Sequence, residues 1–204
     1  MLGAYLLADR LIGGAMGIYG VSGAACTGKT TLVQAIARLR PEWDVQFEWT
    51  RTIVPAMGYR SPWDIQKEYG SAFFEAILIA SFAPLVSFRE GGVLVTDLTP
   101  LDHYVYYKIL SSAEERKFDA PLDHLMRHYL QFYACTFILP LHVIPFVEDD
   151  MRTVDVQVAF DRELRQQIAE KRVFAIEVQA KTTDARAQFV IQRIEELEGV
   201  SGLR

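Results

Sequence analysis

The stretch "GVSGAACTGKTTL" at residues 20–32 is rich in small residues and contains a lysine followed by two threonines. The residues before it, 16–21, are apolar and predict a buried strand. The residues after it repeat apolar side chains at helical spacing, which predicts a helix from Lys29 to about Leu39. The small residues therefore lie where a strand passes into a helix.

Residues 23–30 match the pattern G-x-x-x-x-G-K-[ST], the phosphate-binding loop or P-loop. Glycines let the loop amides form a nest for anions, and the following helix adds the positive end of its dipole. The pattern assigns Lys29 to the β- and γ-phosphates and the Thr30 hydroxyl to Mg²⁺. The predicted phosphate site comprises Gly23, Ala24, Ala25, Cys26, Thr27, Gly28, Lys29, Thr30 and Thr31. A glycine-rich turn that happens to contain a lysine is the alternative interpretation.

Strand and helix patterns alternate along the rest of the chain. The predicted strands are 16–21, 44–49, 91–97, 135–141 and 173–178. The predicted helices are 29–39, 62–82, 101–110, 119–133, 155–170 and 183–197. Short apolar strands that alternate with helices are typical of an α/β fold in three layers, a parallel sheet with helices on both faces. Without a repeat or a polar linker, the 204 residues predict a single domain.

Composition narrows the class of protein. The formal net charge of −5 argues mildly against a protein that binds duplex DNA, because such proteins usually carry a strong basic excess. Two cysteines, Cys26 and Cys135, are too few for a disulfide framework and predict free thiols. Residues 1–14 lack a secretory signal, and the apolar run at 72–86 is too short to span a bilayer. We therefore expect a cytoplasmic protein that does not interact with membranes.

Two carboxylates follow predicted strands at the edge where such sheets bind ligands. Asp97 ends the third strand and is expected to hold Mg²⁺ or its water, unless it is simply a solvated strand end. Glu48 ends the second strand and is expected to take a proton from an attacking hydroxyl, or to hold that hydroxyl. A salt bridge with Arg51 is the alternative. Arg51 and Arg60 are candidates for an acceptor's phosphate or sugar, or are surface charges.

The charged segment 147–166 follows the fourth predicted strand and is interpreted as a lid that closes over phosphates. Arg152 is the first candidate for its catalytic cation, followed by Arg162 and Arg165. A solvated amphipathic helix is the alternative. The polar loop 181–183 is a weak candidate for contact with adenine.

Four segments together resemble the P-loop kinases of nucleosides and nucleotides, and more closely their nicotinamide-riboside-kinase-like branch with its many phage-encoded relatives. They are "GVSGAACTGKTTL", "FEWTRTI", "VTDLTPLDHYVY" and "VEDDMRTVD". The resemblance covers nearly the whole chain after residue 15. It implies a five-stranded parallel sheet in the order 2-3-1-4-5, ATP with Mg²⁺ as the donor, and a phage protein in the host cytoplasm. Because many relatives are dimers, it also admits a homodimer.

The resemblance also assigns residues. Glu48 matches the acceptor-side carboxylate, Asp97 matches the aspartate of an Asp-Arg-Ser or Asp-Arg-Tyr motif, and Arg152 matches the lid arginine. Leu98 departs from the pattern, because many such kinases carry arginine there. This departure puts the identity of the acceptor in doubt, and Arg51 or Arg60 is the expected substitute.

Three functions follow from these observations. The first is a kinase that transfers the γ-phosphoryl of ATP to a nucleoside or a (deoxy)nucleoside monophosphate. The second is a kinase that phosphorylates a hydroxymethylated base in phage DNA, with a local groove formed by arginines at 38, 40, 51 and 60. The third is a regulatory nucleotide-binding switch, although the guanine-specifying pattern Asn-Lys-x-Asp is absent from the sequence.

Overall fold

The structure is a computed structural model, which describes most of the chain. The described residues are 17–48, 50–81, 92–114, 116, 119–143 and 153–201, with the side chains of residues 51, 63, 71, 200 and 201 excepted.

Five parallel strands form one sheet in the order β2-β3-β1-β4-β5, which confirms the predicted topology. The strands are β1 (Gly17–Ser22), β2 (Asp44–Gln46), β3 (Val93–Asp97), β4 (Tyr133–Ile138) and β5 (Ala175–Glu177). β1 lies at the centre and all six of its residues are buried. The register pairs Val21 with Asp97 on β3, so the end of β3 lies beside the start of the phosphate loop.

Helices cover both faces of the sheet. They are α1 (Lys29–Leu39), α2 (Thr50–Ala56), α3 (Pro62–Tyr69), α4 (Ser71–Ala80), α5 (Pro100–Leu110), α6 (Asp119–Leu130), α7 (Val154–Lys171) and α8 (Thr183–Ser201). One apolar core joins α1 and α8 to the sheet, with Ile36 and Ile194 fully buried. The larger core contains side chains from each of the helices α3, α4, α5, α6 and α7, with Leu78 and Phe160 fully buried. The predicted three-layer arrangement is therefore confirmed.

Several of the predicted element boundaries are wrong. The fourth strand, predicted at 135–141, runs instead from Tyr133 to Ile138. The second strand, predicted at 44–49, ends at Gln46, so Glu48 lies in the loop beyond it. The helix predicted at 62–82 is broken at Gly70, whose φ of 60° and ψ of −140° cannot continue a helix. The helix predicted to reach 133 ends at Leu130, because Tyr133 already pairs with Ile18 of β1. Helix α2, which contains Pro55, was not predicted.

Within the described ranges, no helix combines the length and the hydropathy that a bilayer crossing requires.

Candidate active site

The phosphate loop runs from the end of β1 to the start of α1 with unusual backbone angles. Gly23 has a φ of +138°, and a Cβ placed there would lie 2.6 Å from the carbonyl oxygen of Leu139. Gly28, which caps α1, has a φ of 89°, and Cys26 has a φ of 62°. Both angles belong to the region that glycine occupies most readily. These turns produce the concave loop that the sequence pattern predicts.

Lys29 lies inside this loop. Its Nζ donates to the carbonyl oxygens of Gly23 and Ala24, each at 2.7 Å, and only 8% of the residue is exposed. Burial lowers the pKa of Lys29, while the carboxylates of Asp102 and Asp97 act in the opposite direction. The ammonium is thus held beside the loop amides, where a phosphate would bind.

Thr30 and Asp97 come together as the sequence predicts. The Thr30 hydroxyl donates to Oδ2 of Asp97 at 2.6 Å, and Asp97 is 3% exposed. Mg²⁺ prefers oxygen ligands and usually keeps waters and substrate phosphates in its shell, rather than a cage of protein groups. Among the described residues there is no cluster of three metal-binding side chains. A hydroxyl and a carboxylate beside a phosphate loop fit Mg²⁺ that arrives with the nucleotide.

Asp102 is a structural residue that the sequence analysis missed. It is fully buried, and its Oδ1 accepts from the Ser22 hydroxyl at 2.7 Å and from the Gly23 amide at 3.3 Å. Its Oδ2 accepts from the amide and the hydroxyl of Thr99, at 2.7 and 2.6 Å, in a capping box at the start of α5. One carboxylate therefore fixes the start of α5 to the start of the phosphate loop.

A cavity of about 340 Å³ opens beside the loop. The polar part of its lining includes the loop residues Lys29 and Thr30, together with Glu48 and His103. The apolar part comes mainly from α4 and includes Phe73, Phe74, Ile77, Leu98 and Tyr106. The cavity therefore offers both charged groups and aromatic side chains suited to a flat apolar group.

Glu48 and His103 are two of the polar residues that line the cavity. Glu48 accepts a hydrogen bond from the Thr50 hydroxyl, which helps to orient its carboxylate. His103 is 5% exposed, and burial lowers its pKa, with Lys29 acting in the same direction and Glu48 opposing. The imidazole is therefore neutral near pH 7 and can both donate and accept a hydrogen bond. His103 was not among the residues predicted from the sequence.

Leu98, at the position where the resemblance implies arginine, lines the cavity. It has a φ of 73° and is 6% exposed. A non-glycine residue at such an angle costs roughly 1–2 kcal/mol, so the surrounding structure has to hold it there. Leu98 therefore contributes an apolar side chain to the cavity.

Of the predicted arginines, those whose side chains the structure describes do not line the cavity. Arg60 is exposed and does not line the cavity. The side chain of Arg51 and the whole of Arg152 lie outside the described residues. Arg162 is exposed on α7, and Arg165 forms ion pairs with two carboxylates. The roles predicted for these five arginines stay predictions.

Two further residues, which were not predicted from the sequence, contact the loop. Nε2 of Gln157, on α7, donates to the Ala25 carbonyl at 2.8 Å. Nη1 of Arg186, on α8, donates to the Thr27 carbonyl at 2.8 Å, and its Nε donates to the Ala180 carbonyl at 2.7 Å. The bonds to Ala25 and Thr27 join residues more than 130 positions apart, so no local pattern reveals them.

The fold is shared with solved structures. A NadR protein in complex with NR superposes with a TM-score of 0.67 at 19% identity, covering 90% of this chain and 51% of that chain. Deoxyadenosine kinase from M. mycoides has a TM-score of 0.64 at 12% identity, covering 88% and 99%. Shikimate kinase from Acinetobacter baumannii, in complex with shikimate, has a TM-score of 0.54 at 19% identity, covering 92% and 97%. This chain spans about half the length of the NadR chains that it matches.

At these identities the structures show a common fold, the P-loop kinase fold that the sequence predicts. No curated protein sequence matches the chain significantly. The sequence pattern of the AAA domain family matches residues 19–186, which include β1 from Tyr19 onward, the phosphate loop and the whole of β2, β3, β4 and β5. The chain therefore belongs to the AAA domain family, in the form of a P-loop domain with a five-stranded parallel sheet.

Proposed function

We propose that this protein is an ATP-dependent kinase that transfers the γ-phosphoryl group to a hydroxyl of a nucleoside or a (deoxy)nucleoside monophosphate. One observation carries the proposal: the phosphate loop and Thr30, whose hydroxyl donates to Asp97, line the same cavity as Glu48 and several aromatic and apolar side chains. A donor site and an acceptor site within one cavity are what phosphoryl transfer requires.

On the donor side, the loop amides and the Lys29 ammonium would hold the β- and γ-phosphates of ATP. The Thr30 hydroxyl and the Asp97 carboxylate would hold Mg²⁺ or its waters. Held there, Mg²⁺ would supply neutralisation of the phosphate charge. Solved structures of this fold include a NadR protein in complex with NAD and AMP-PNP, which supports an adenine nucleotide as the donor.

On the acceptor side, the aromatic side chains from α4 would pack against a flat ring, while the polar part of the lining would receive a hydroxyl. The acceptor oxygen forms a bond to the γ-phosphorus as the bond from that phosphorus to the β–γ bridging oxygen breaks. ADP leaves, and the hydroxyl proton passes to the Glu48 carboxylate. The fold shared with a NadR–NR complex and with a deoxyadenosine kinase supports a ribose- or deoxyribose-containing acceptor.

The predicted lid arginine Arg152 would complete the charge stabilisation over the γ-phosphoryl. Arg51 and Arg60 remain the proposed substitutes for the arginine that Leu98 replaces. The alternative in which the acceptor is a base in DNA receives less support, because Arg40 pairs with Glu195 and with Glu42 instead of contributing to an unpaired cationic groove.

The experiment is ADP formation from Mg·ATP against a panel of nucleosides, nucleoside monophosphates and short DNA oligomers, with and without hydroxymethylated bases. We expect strong stimulation by one small acceptor. Stimulation by DNA alone would favour the base-modifying alternative, and ATP binding without stimulation by any acceptor would favour the regulatory switch.

The Glu48→Gln variant tests the acceptor side, and Glu42→Gln, an exposed glutamate near the same strand, is its matched control. Because Glu48 is proposed to take the acceptor proton, we expect a fall in kcat of about 10²- to 10⁴-fold in Glu48→Gln. Glu42→Gln should retain the original rate. Equal rates in both variants would remove Glu48 from the mechanism.

A further inference from the structure

Side chains donate hydrogen bonds to several carbonyl groups of the phosphate loop. Lys29 holds the carbonyls of Gly23 and Ala24, each at 2.7 Å. Arg186 holds the carbonyl of Thr27 at 2.8 Å, and Gln157 holds the carbonyl of Ala25 at 2.8 Å. Two of these donors belong to helices far along the chain, α7 and α8.

Holding a carbonyl also fixes an amide. Because a trans peptide is planar, the carbonyl of one residue and the amide of the next point in opposite directions. The described residues contain no cis peptide bond. When Gln157 draws the Ala25 carbonyl to one side, the Cys26 amide is turned to the other side. The φ of 62° at Cys26 is the left-handed angle found in anion-binding nests.

Gln157 is well placed for this task. Gln157 is 4% exposed and lies in the first turn of α7. Its backbone N–H donates to the carbonyl oxygen of Thr153, the residue that caps the helix. The same helix reaches the cavity wall, because the rings of Phe160 and Tyr106 lie 4.5 Å apart between their centroids. Helix α7 therefore contacts both the phosphate loop and the wall of the cavity.

We propose that Gln157 is a positioning residue that orients the Ala25–Cys26 peptide for phosphate binding and thereby couples the first turn of α7 to nucleotide binding. This inference rests on the proposed function, in which the loop binds a nucleoside triphosphate. Coupling is reciprocal, so phosphate binding should tighten the first turn of α7 to the same extent that this turn favours phosphate binding.

The test compares Gln157→Met, which keeps the side-chain length but removes the donor, with Gln166→Met, the same change at an exposed position of α7. Gln157→Leu is a second variant without a donor. Affinities for Mg·ATP and for adenosine are measured by titration calorimetry, and α7 is followed by hydrogen exchange. Thermal unfolding of the ligand-free variants verifies that each one folds.

We expect both Gln157 variants to bind Mg·ATP about tenfold more weakly, the size of one lost hydrogen bond, while adenosine binding stays unchanged. Mg·ATP should slow exchange in the first turn of α7 in the unsubstituted protein and in Gln166→Met, but not in the Gln157 variants. Unchanged Mg·ATP affinity, or an equal loss for adenosine, would overturn the inference. If the unsubstituted protein binds no Mg·ATP, the proposed function falls and the inference falls with it.

Discussion

Replacing Gly23 by alanine tests how tightly the phosphate loop is fixed to the sheet. The glycine has a φ of +138°, and an added Cβ would lie 2.6 Å from the Leu139 carbonyl oxygen, which belongs to backbone and cannot rotate away. Gly58→Ala is a matched control, because Gly58 also has a positive φ, +82°, but no atom lies within 4 Å of the added Cβ. Both variants place a side chain at a positive φ, and only Gly23→Ala also brings the new Cβ against a backbone oxygen.

The expected magnitudes follow from these two terms. A left-handed angle costs a side-chain-bearing residue roughly 1–2 kcal/mol, and the stiffer unfolded chain returns about 0.4–1 kcal/mol, so Gly58→Ala should cost about 1 kcal/mol. Overpacking adds about 1–3 kcal/mol at Gly23. Gly23→Ala should therefore lower the free energy of unfolding by about 1–3 kcal/mol more than Gly58→Ala.

The assay is urea unfolding followed by circular dichroism, with the free energy of unfolding extrapolated to water. Because the backbone at Leu139, directly after β4, or the loop itself would have to move, Gly23→Ala should also weaken Mg·ATP binding, while Gly58→Ala should not. A difference of less than about 0.5 kcal/mol between the free energies of unfolding of the two variants, the range of ordinary surface substitutions, would contradict this expectation.

Two other predictions concern buried polar residues. Asp102→Asn should lower the free energy of unfolding by about 1.5–3 kcal/mol, because the new amide nitrogen must face a backbone N–H donor whichever way the side chain turns. Asp155→Asn, at an exposed site of α7, should change the free energy of unfolding little. Equal unfolding curves for the two variants would count against the capping role of Asp102. Burial lowers the pKa of His103 in the folded protein, so the unfolded chain binds this proton more readily and stability should fall as the pH drops through about 6.5. His103→Gln should make this loss of stability at low pH smaller, whereas His124→Gln, at an exposed site, should not. An unchanged pH profile in His103→Gln would show that protonation of the buried His103 does not destabilise the fold.

Features that depend on neighbours in the sequence were predictable. The phosphate loop follows from a local spacing, and its contact between Thr30 and Asp97 follows from the rule that parallel strands end at one edge. The capping box at Thr99 and Asp102 also has a local signature, but the hydrogen bond from the Ser22 hydroxyl to Asp102 crosses 80 positions and has none. The fold and the donor side were therefore accessible from the sequence.

The acceptor side was less accessible, for physical reasons. Apolar residues at 44–49 suggest a strand that reaches Glu48, yet pairing with β3 stops at Gln46, so Glu48 takes its position from a loop. The break at Gly70, which sets the direction of the aromatic helix α4, depends on one backbone conformation. The placement of Gln157 depends on how α7 packs across the sheet, which no local pattern encodes.

The most direct test of the central claim follows the γ-phosphoryl group itself. ATP labelled at the γ-phosphate is incubated with Mg²⁺ and the acceptor that stimulates ADP formation, and the labelled products are separated. The account predicts label in a phosphorylated nucleoside or nucleotide, lost in Lys29→Ala while that variant retains its circular dichroism spectrum. Label found only in inorganic phosphate, or transfer unchanged in Lys29→Ala, would contradict it.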